Sequence, residues 1–179
     1  AIRLAIKDNK DYYMTTPIDI NEPLFNDDLY PYLQRILLTS DKKRLEEIFL
    51  VSEGIENLLI KNAYENDTYE DFIRASVSRR YTRARIQRIC MNIINNITKE
   101  EYKALEPLNY IRVLGFNSKG REYLKQFRDR EDFKVVTQFK NIPETYKNIE
   151  WKVANIYASY TSDRKAYLKQ ELRGPIIID

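Results

Sequence analysis

The run Ser78-Arg79-Arg80-Tyr81-Thr82-Arg83-Ala84-Arg85-Ile86-Gln87-Arg88 places five arginines within eleven residues, in a chain of 179 residues that has no histidine. Guanidinium groups are permanently charged forks that meet phosphate oxygens two at a time, and they exchange no protons near neutral pH. The chemistry on offer is a grip on a polyanion. Without imidazole, the chain lacks the commonest general base and metal ligand. Arg80, Arg83 and Arg85 fall at the mouth of a predicted helix, where the dipole and unpaired N–H groups already make the surroundings positive. An incoming phosphate would relieve that repulsion. So would a structural network in which Glu65, Glu70, Asp71 or another carboxylate neutralises the arginines. Tyr81 fits either reading, stacking on an exposed base or ribose edge in the first and packing in the second. Arg79 and Arg88 complete the set.

Two further blocks carry polar chemistry. In Ser52-Glu53-Gly54-Ile55-Glu56-Asn57 the glycine permits a tight backbone path, Glu53 and Glu56 can accept from arginines, and Asn57 can donate and accept. A helix cap is the commoner meaning of such a block, and two glutamates three apart do not define an acid and a base. Arg112-Val113-Leu114-Gly115-Phe116-Asn117, continued by Lys119, Gly120 and Arg121, reads as a structural turn or as a phosphate-contacting loop. It lacks the glycine-rich lysine motif of a P-loop, which excludes an ATPase of that class. Cys90, the only cysteine, sits among Ile89, Met91 and Ile93 and reads as a buried, inert thiol.

The elements that must position these residues are helical. Composition is that of a folded globular chain, with 43% hydrophobic and 32% charged residues, and 30 basic residues nearly balanced by 27 acidic ones. The net charge of +3 therefore excludes nothing, and only its distribution is informative. The length suits one well-buried core or two small subdomains. A short helix is expected over Ile2 to Lys7, then a polar, tyrosine-containing link to Pro23. Asp27 or Asp28 is expected to cap a helix carrying Leu29, Leu33, Ile36 and Leu37. Leu45, Ile48 and Phe49 continue the packing, Ile55 to Ala63 keeps a helical period after Gly54, and Asp67-Thr68 restarts the chain toward Phe72. The clearest helix runs from about Thr82 to Ile97, with Ile86, Ile89, Cys90, Ile93, Ile94 and Ile97 on one stripe. Arg85, Arg88 and Asn92 lie on another face. Thr98 with Glu101 forms a capping box, and Pro107 ends that helix. Val135 to Phe139 is the best strand candidate. Ile149, Val153, Ile156, Tyr157 and Tyr160 form a late stripe, Ser162 caps a last helical stretch, and Gly174-Pro175 stops it. The fold class is mostly α, a compact multi-helix domain with room for one short irregular strand.

At these same blocks the chain resembles the bacterial tRNA(Met) cytidine acetate ligase family, a group of HIGH-type nucleotidyltransferase-like proteins. Ser52-Glu53-Gly54-Ile55-Glu56-Asn57 is similar to the family's serine-glutamate-glycine-leucine-glutamate-asparagine block. Arg79-Arg80-Tyr81-Thr82 is similar to its lysine-arginine-tyrosine-threonine run, Arg112 to Phe116 to a further segment, and Leu172-Arg173-Gly174-Pro175-Ile176 to its C-terminal end. The opening Ala1-Ile2-Arg3 resembles the close of its serine-alanine-threonine-alanine-isoleucine-arginine motif, which would make Arg3 a nucleotide-contacting, cofactor-binding residue. Two departures stand out. Arg79 replaces the usual lysine, and Leu58 stands where the family commonly has arginine.

The resemblance implies an enzyme that uses ATP to activate acetate as acetyl-adenylate and acetylates N4 of the wobble cytidine of elongator tRNA(Met). The family's histidine-containing nucleotide motif belongs to a Rossmann-like domain, and this sequence contains no such motif. The expectation is a piece without its N-terminal catalytic domain. Residues 1–24 would be the edge of that domain, and residues 25–179 a helical, tRNA-facing C-terminal domain. Such a piece would be inactive as a ligase and would need no ATP of its own. Arg79, Arg80, Tyr81, Arg83, Arg85, Arg88, Arg112, Lys119 and Arg121 would form the nucleic-acid track. No apolar stretch approaches the roughly 20 residues that cross a bilayer, so a cytoplasmic protein without membrane contact is expected. The competing functions are a structural or protein-interaction module whose basic face meets an acidic partner domain, and a self-contained nucleotidyltransferase.

Overall fold

Short capped breaks divide the chain into helices, and the computed structural model, which describes residues 2–11, 22–127, 130 and 132–177, arranges them in two layers. After α1 (Ile2–Lys7), the first layer holds α2 (Asn26–Thr39), α3 (Lys42–Glu46), α4 (Ile55–Glu65), α5 (Tyr69–Ser76), α6 (Arg83–Ile94) and α7 (Lys99–Lys103). Helices α2, α4, α5 and α6 pack on one another around Leu33, Leu37, Ile55, Leu59, Phe72, Ile73, Ile86 and Ile89, all fully buried. Cys90 lies in the same core, where burial pushes its thiol up to about 12, so it stays protonated and inert.

The second layer mixes short strands and helices: β1 (Tyr110–Arg112), β2 (Gly115–Phe116), α8 (Ser118–Lys125), β3 (Lys134–Val136), α9 (Glu144–Ala158), α10 (Arg164–Leu172) and β4 (Ile176–Ile177). Strand β1 pairs in parallel with β3, Tyr110 opposite Lys134, and β2 in parallel with β4, Gly115 opposite Ile176. A small second core of Val136, Phe139 and Ile142 collects Tyr110, Tyr146 and Trp151. Lys152 of α9 joins the layers by donating to the Asn96 carbonyl at 3.0 Å and to the Glu101 carboxylate. Ile156 packs against the main core.

The mostly helical class holds, and no extended doubly wound sheet is present among the described residues. Several local readings change. Phe25, not Asp27 or Asp28, precedes α2, and the Asp28 carboxylate accepts from the Phe25 N–H at 2.7 Å. Helix α6 stops at Ile94 because Asn96 turns left-handed at φ 49°, which carries Ile97 out of the helix but leaves it buried. The expected strand is shorter and has three companions among the described residues. On α9 the buried positions are Ala154 and Ala158, whose small side chains allow a close approach; of the expected stripe Ile156 packs inward, Val153 is exposed, and Tyr160, also exposed, lies beyond the helix. Asp163 rather than Ser162 caps α10, accepting from the Ala166 N–H at 2.9 Å. Most of the link to Pro23 falls on residues 12–21, outside the described residues.

Candidate nucleic-acid interface

The arginine run folds as a turn feeding a helix. Ser78 N–H donates to the Tyr81 carbonyl at 3.0 Å, Tyr81 N–H returns to Ser78 Oγ at 3.2 Å, and Thr82 caps α6 by accepting from the Arg85 N–H. The Tyr81 ring is buried, with Arg80 and Arg85 on it at 5.7 and 5.1 Å. It anchors the helix entry from inside, and the two guanidiniums cover it.

Carboxylates reach three of the five arginines. Arg83 forms a two-pronged pair with Glu70 at 2.7 and 2.6 Å, and Arg80 meets Glu53 at 2.8 Å with Arg85 on the same carboxylate at 3.9 Å. Glu53 and Glu70 are held below the usual carboxylate range by their hydrogen bonds to Arg80 and Arg83. The Glu53 backbone is left-handed at φ 60°, followed by Gly54 at φ 79° as the residue that precedes α4. The block 52–57 is thus a helix entry that also aims a carboxylate at the arginines. Glu56 instead is buried beside Lys42 at 3.7 Å. Of the other expected neutralisers, Glu65 faces Lys61 and Asp71 pairs with Arg74.

Magnitudes decide what these pairs mean. Arg80, Glu53, Arg83 and Glu70 are about half exposed, and such surface pairs contribute roughly 0–1 kcal/mol each. A phosphate backbone can displace them. Arg79 and Arg88 have no carboxylate partner among the described residues. Arg88 borders an open, mainly apolar recess formed with Phe49, Leu50, Ala84, Met91 and Asn92. Asn92 fixes that recess by donating to the Phe49 carbonyl at 3.1 Å. The spacing of Arg85, Arg88 and Asn92 marked this face, but Phe49 and Leu50 come from a distant part of the chain and gave no sign of it.

The remaining predicted residues belong to the second layer. Arg112 is held by Glu150 at 2.7 Å and Glu171 at 2.5 Å, donates to the Glu171 carbonyl at 2.9 Å, and lies over Phe139 at 5.2 Å. Burial opposes its charge, yet the two carboxylates outweigh burial and leave its pKa raised. Its forks are filled from within the fold. Of the block 112–117, Arg112 ends β1, Gly115 and Phe116 form β2 and Asn117 caps α8, so short strands flank the bend at Val113 and Leu114. Lys119 and Arg121 lie in the first turn of α8, capped by Asn117, with Arg121 over Phe116 at 5.7 Å. A Cβ on Gly120 would approach Phe116 Cβ to 3.0 Å, so this glycine serves close packing. Arg3 lies in α1, and its side chain falls outside what the structure describes. No group of three metal-ligating side chains occurs among the described residues, and none of the described helices is long and apolar enough to cross a membrane.

Residues 3–171 match the model of the HIGH Nucleotidyl Transferase family. The chain belongs to that family. Among its relatives, the tRNA(Met) cytidine acetate ligase of Thermoanaerobacter sp. (strain X514) is 35% identical over 115 residues, covering 64% of this chain and 29% of the relative. That of Oceanobacillus iheyensis is 34% identical over 151 residues, 83% of this chain and 38% of the relative. The fold is shared with the crystal structure of Thermotoga maritima TmcAL bound with alpha-thio ATP, at a TM-score of 0.73 and 21% identity, covering 99% of this chain and 45% of that one. This family member thus spans less than half the length of these relatives.

Proposed function

We propose that this chain is the helical, RNA-facing part of a tRNA(Met) cytidine acetate ligase. It holds elongator tRNA(Met) while a nucleotide-binding domain of the same enzyme makes acetyl-adenylate from ATP and acetate and acetylates N4 of the wobble cytidine, in the cytoplasm. The observation that carries the reading is the state of the arginines at the α6 entry: Arg79 and Arg88 are unpaired among the described residues, and Arg80 and Arg83 sit in exposed, displaceable pairs. Phosphates exchange with Glu53 and Glu70 for the two-pronged grip that arginine offers. A base then rests in the apolar recess beside Arg88, as single-stranded RNA bases do on apolar and aromatic platforms. Lys119 and Arg121 extend the track, Tyr81 fixes the helix entry, and Arg112 holds the second layer together. Arg3 contacts the nucleotide, on the strength of the sequence resemblance.

A second reading, domain docking, draws on one observation. Ile111, Leu114, Ile176 and Ile177 are exposed on the strand layer, an apolar surface suited to another domain. Fluorescence anisotropy with elongator tRNA(Met), an unrelated tRNA and a short DNA duplex separates the two. Tighter, salt-sensitive binding of elongator tRNA(Met) is expected, and equal weak binding of all three would favour docking.

A further inference from the structure

At the far end of α6 from the arginine run lies a separate cleft, some 16 Å along the helix at 1.5 Å per residue. Its volume is about 290 Å³, bounded by the last turns of α2 and α6 and by α3. That size is at the lower edge of the roughly 300–1,000 Å³ of small-ligand sites, enough for one small molecule. Its floor is apolar, built from the buried Leu45, Ile48, Ile93 and Ile94, with the half-buried Tyr32 beside them. On its rim stand Arg35 and Arg44, both exposed, and neither pairs with a carboxylate among the described residues.

The positive charge on the rim is not neutralised by its neighbours. No carboxylate lines it. Nearby acids are engaged elsewhere: Asp41 accepts from the Lys43 N–H at 2.8 Å, while Glu46 and Glu56 face Lys42. Arginines at helix C-termini often serve the last carbonyls. Here those carbonyls have other donors, since Thr39 Oγ1 bonds to the Arg35 carbonyl at 2.7 Å and Ser40 N–H to that of Ile36 at 3.0 Å. Asn96 N–H takes the Ile93 carbonyl at 3.1 Å, and Lys152 takes that of Asn96 at 3.0 Å. Two guanidinium forks remain on the rim, and Ser40 and Asn96 also line the cleft.

We infer that this cleft is a second anion site that takes a nucleoside 5′-phosphate, its phosphate on Arg35 and Arg44 and its ring against Tyr32 and the isoleucine floor. The free mononucleotide and a single nucleotide unit of a looped RNA present the same chemistry. The inference stands apart from the tRNA reading, because it uses none of Arg79 to Arg88.

Calorimetric titration of the chain with adenosine 5′-monophosphate, adenosine, inorganic phosphate and a 5′-phosphorylated tetranucleotide RNA tests it. Adenosine 5′-monophosphate should bind at least tenfold more tightly than adenosine or phosphate. Arg35→Ala with Arg44→Ala should lose at least tenfold. NMR shifts at Thr39 and Ser40 on adding the mononucleotide locate the contact in the unsubstituted protein, independently of how the variants fold. Tighter binding of the tetranucleotide would assign the site to RNA, and tighter binding of the mononucleotide to a free metabolite. Absence of mononucleotide binding, or binding that leaves Thr39 and Ser40 unshifted, would overturn the inference.

Discussion

Glu53 and Glu70 are the residues on which the arginine surface turns. On the proposed RNA-facing reading each competes with phosphate for a guanidinium, and each carboxylate is held below its usual range by its hydrogen bond to an arginine. Glu53→Gln with Glu70→Gln should therefore raise tRNA affinity, by a few-fold at low salt and less as salt screens the field. A titration in which the double variant binds no better would mean that the pairs do not stand in the path of the phosphates. Arg112 makes the opposite prediction. Removing it takes from Glu150 and Glu171, 27% and 24% exposed, their shared cation and leaves Glu150, among the described residues, only the Tyr110 hydroxyl. Breaking a fully buried pair costs about 3–5 kcal/mol, and partial exposure brings the expected loss for Arg112→Ala to about 2 kcal/mol. Chemical denaturation should register that loss, while the salt slope of tRNA binding by the folded variant stays as it was.

Among the elements, the entry to α4 depends on backbone conformation more than on contacts. Gly54 has φ 79°, and a Cβ there would meet only Asn57 Nδ2 at 3.6 Å, so Gly54→Ala is opposed by the left-handed backbone alone. The expected cost is about 1 kcal/mol, measurable as a shift of the urea midpoint at constant slope. At α7, Glu101 accepts from the Thr98 N–H at 3.0 Å and from Lys152, tying the capping box to the second layer. Burial raises the Glu101 pKa, but Lys152 and the Thr98 N–H lower it further, for a net fall below its ordinary 4.5. The stabilisation is accordingly complete above about pH 4.5 and lost as pH falls through the lowered value. Thermal melts should show that acid loss in the unsubstituted protein and a weaker one in Glu101→Gln. Local features of this kind were legible in the sequence, as were the α6 stripe and the Thr98 capping box, because their partners lie within four residues. The parallel ladders were not. Tyr110 pairs with Lys134 and Gly115 with Ile176, and no local period encodes such distant partners. The packed face of α9 was only partly read, since Ile156 does pack on the core, but Ala154 and Ala158 mark a close approach that large apolar residues do not announce.

For the whole molecule, charge is a matter of placement. A net +3 on 179 residues gives little general attraction for RNA, so the proposed recognition rests on where the unpaired arginines stand. The arginine run was visible in the sequence, and Glu53 and Glu70 stood among its possible partners, but which arginine each would take was not, since both reach it from other elements. The most direct test of the RNA-facing account is the salt dependence of elongator tRNA(Met) binding by the unsubstituted chain and by Arg79→Ala with Arg88→Ala, both verified as folded by circular dichroism. Each phosphate contact adds about 0.7–0.9 to the slope of log affinity against log salt. The account predicts that the double variant binds more weakly, with a slope shallower by about 1.4–1.8. An unchanged affinity and slope would contradict it.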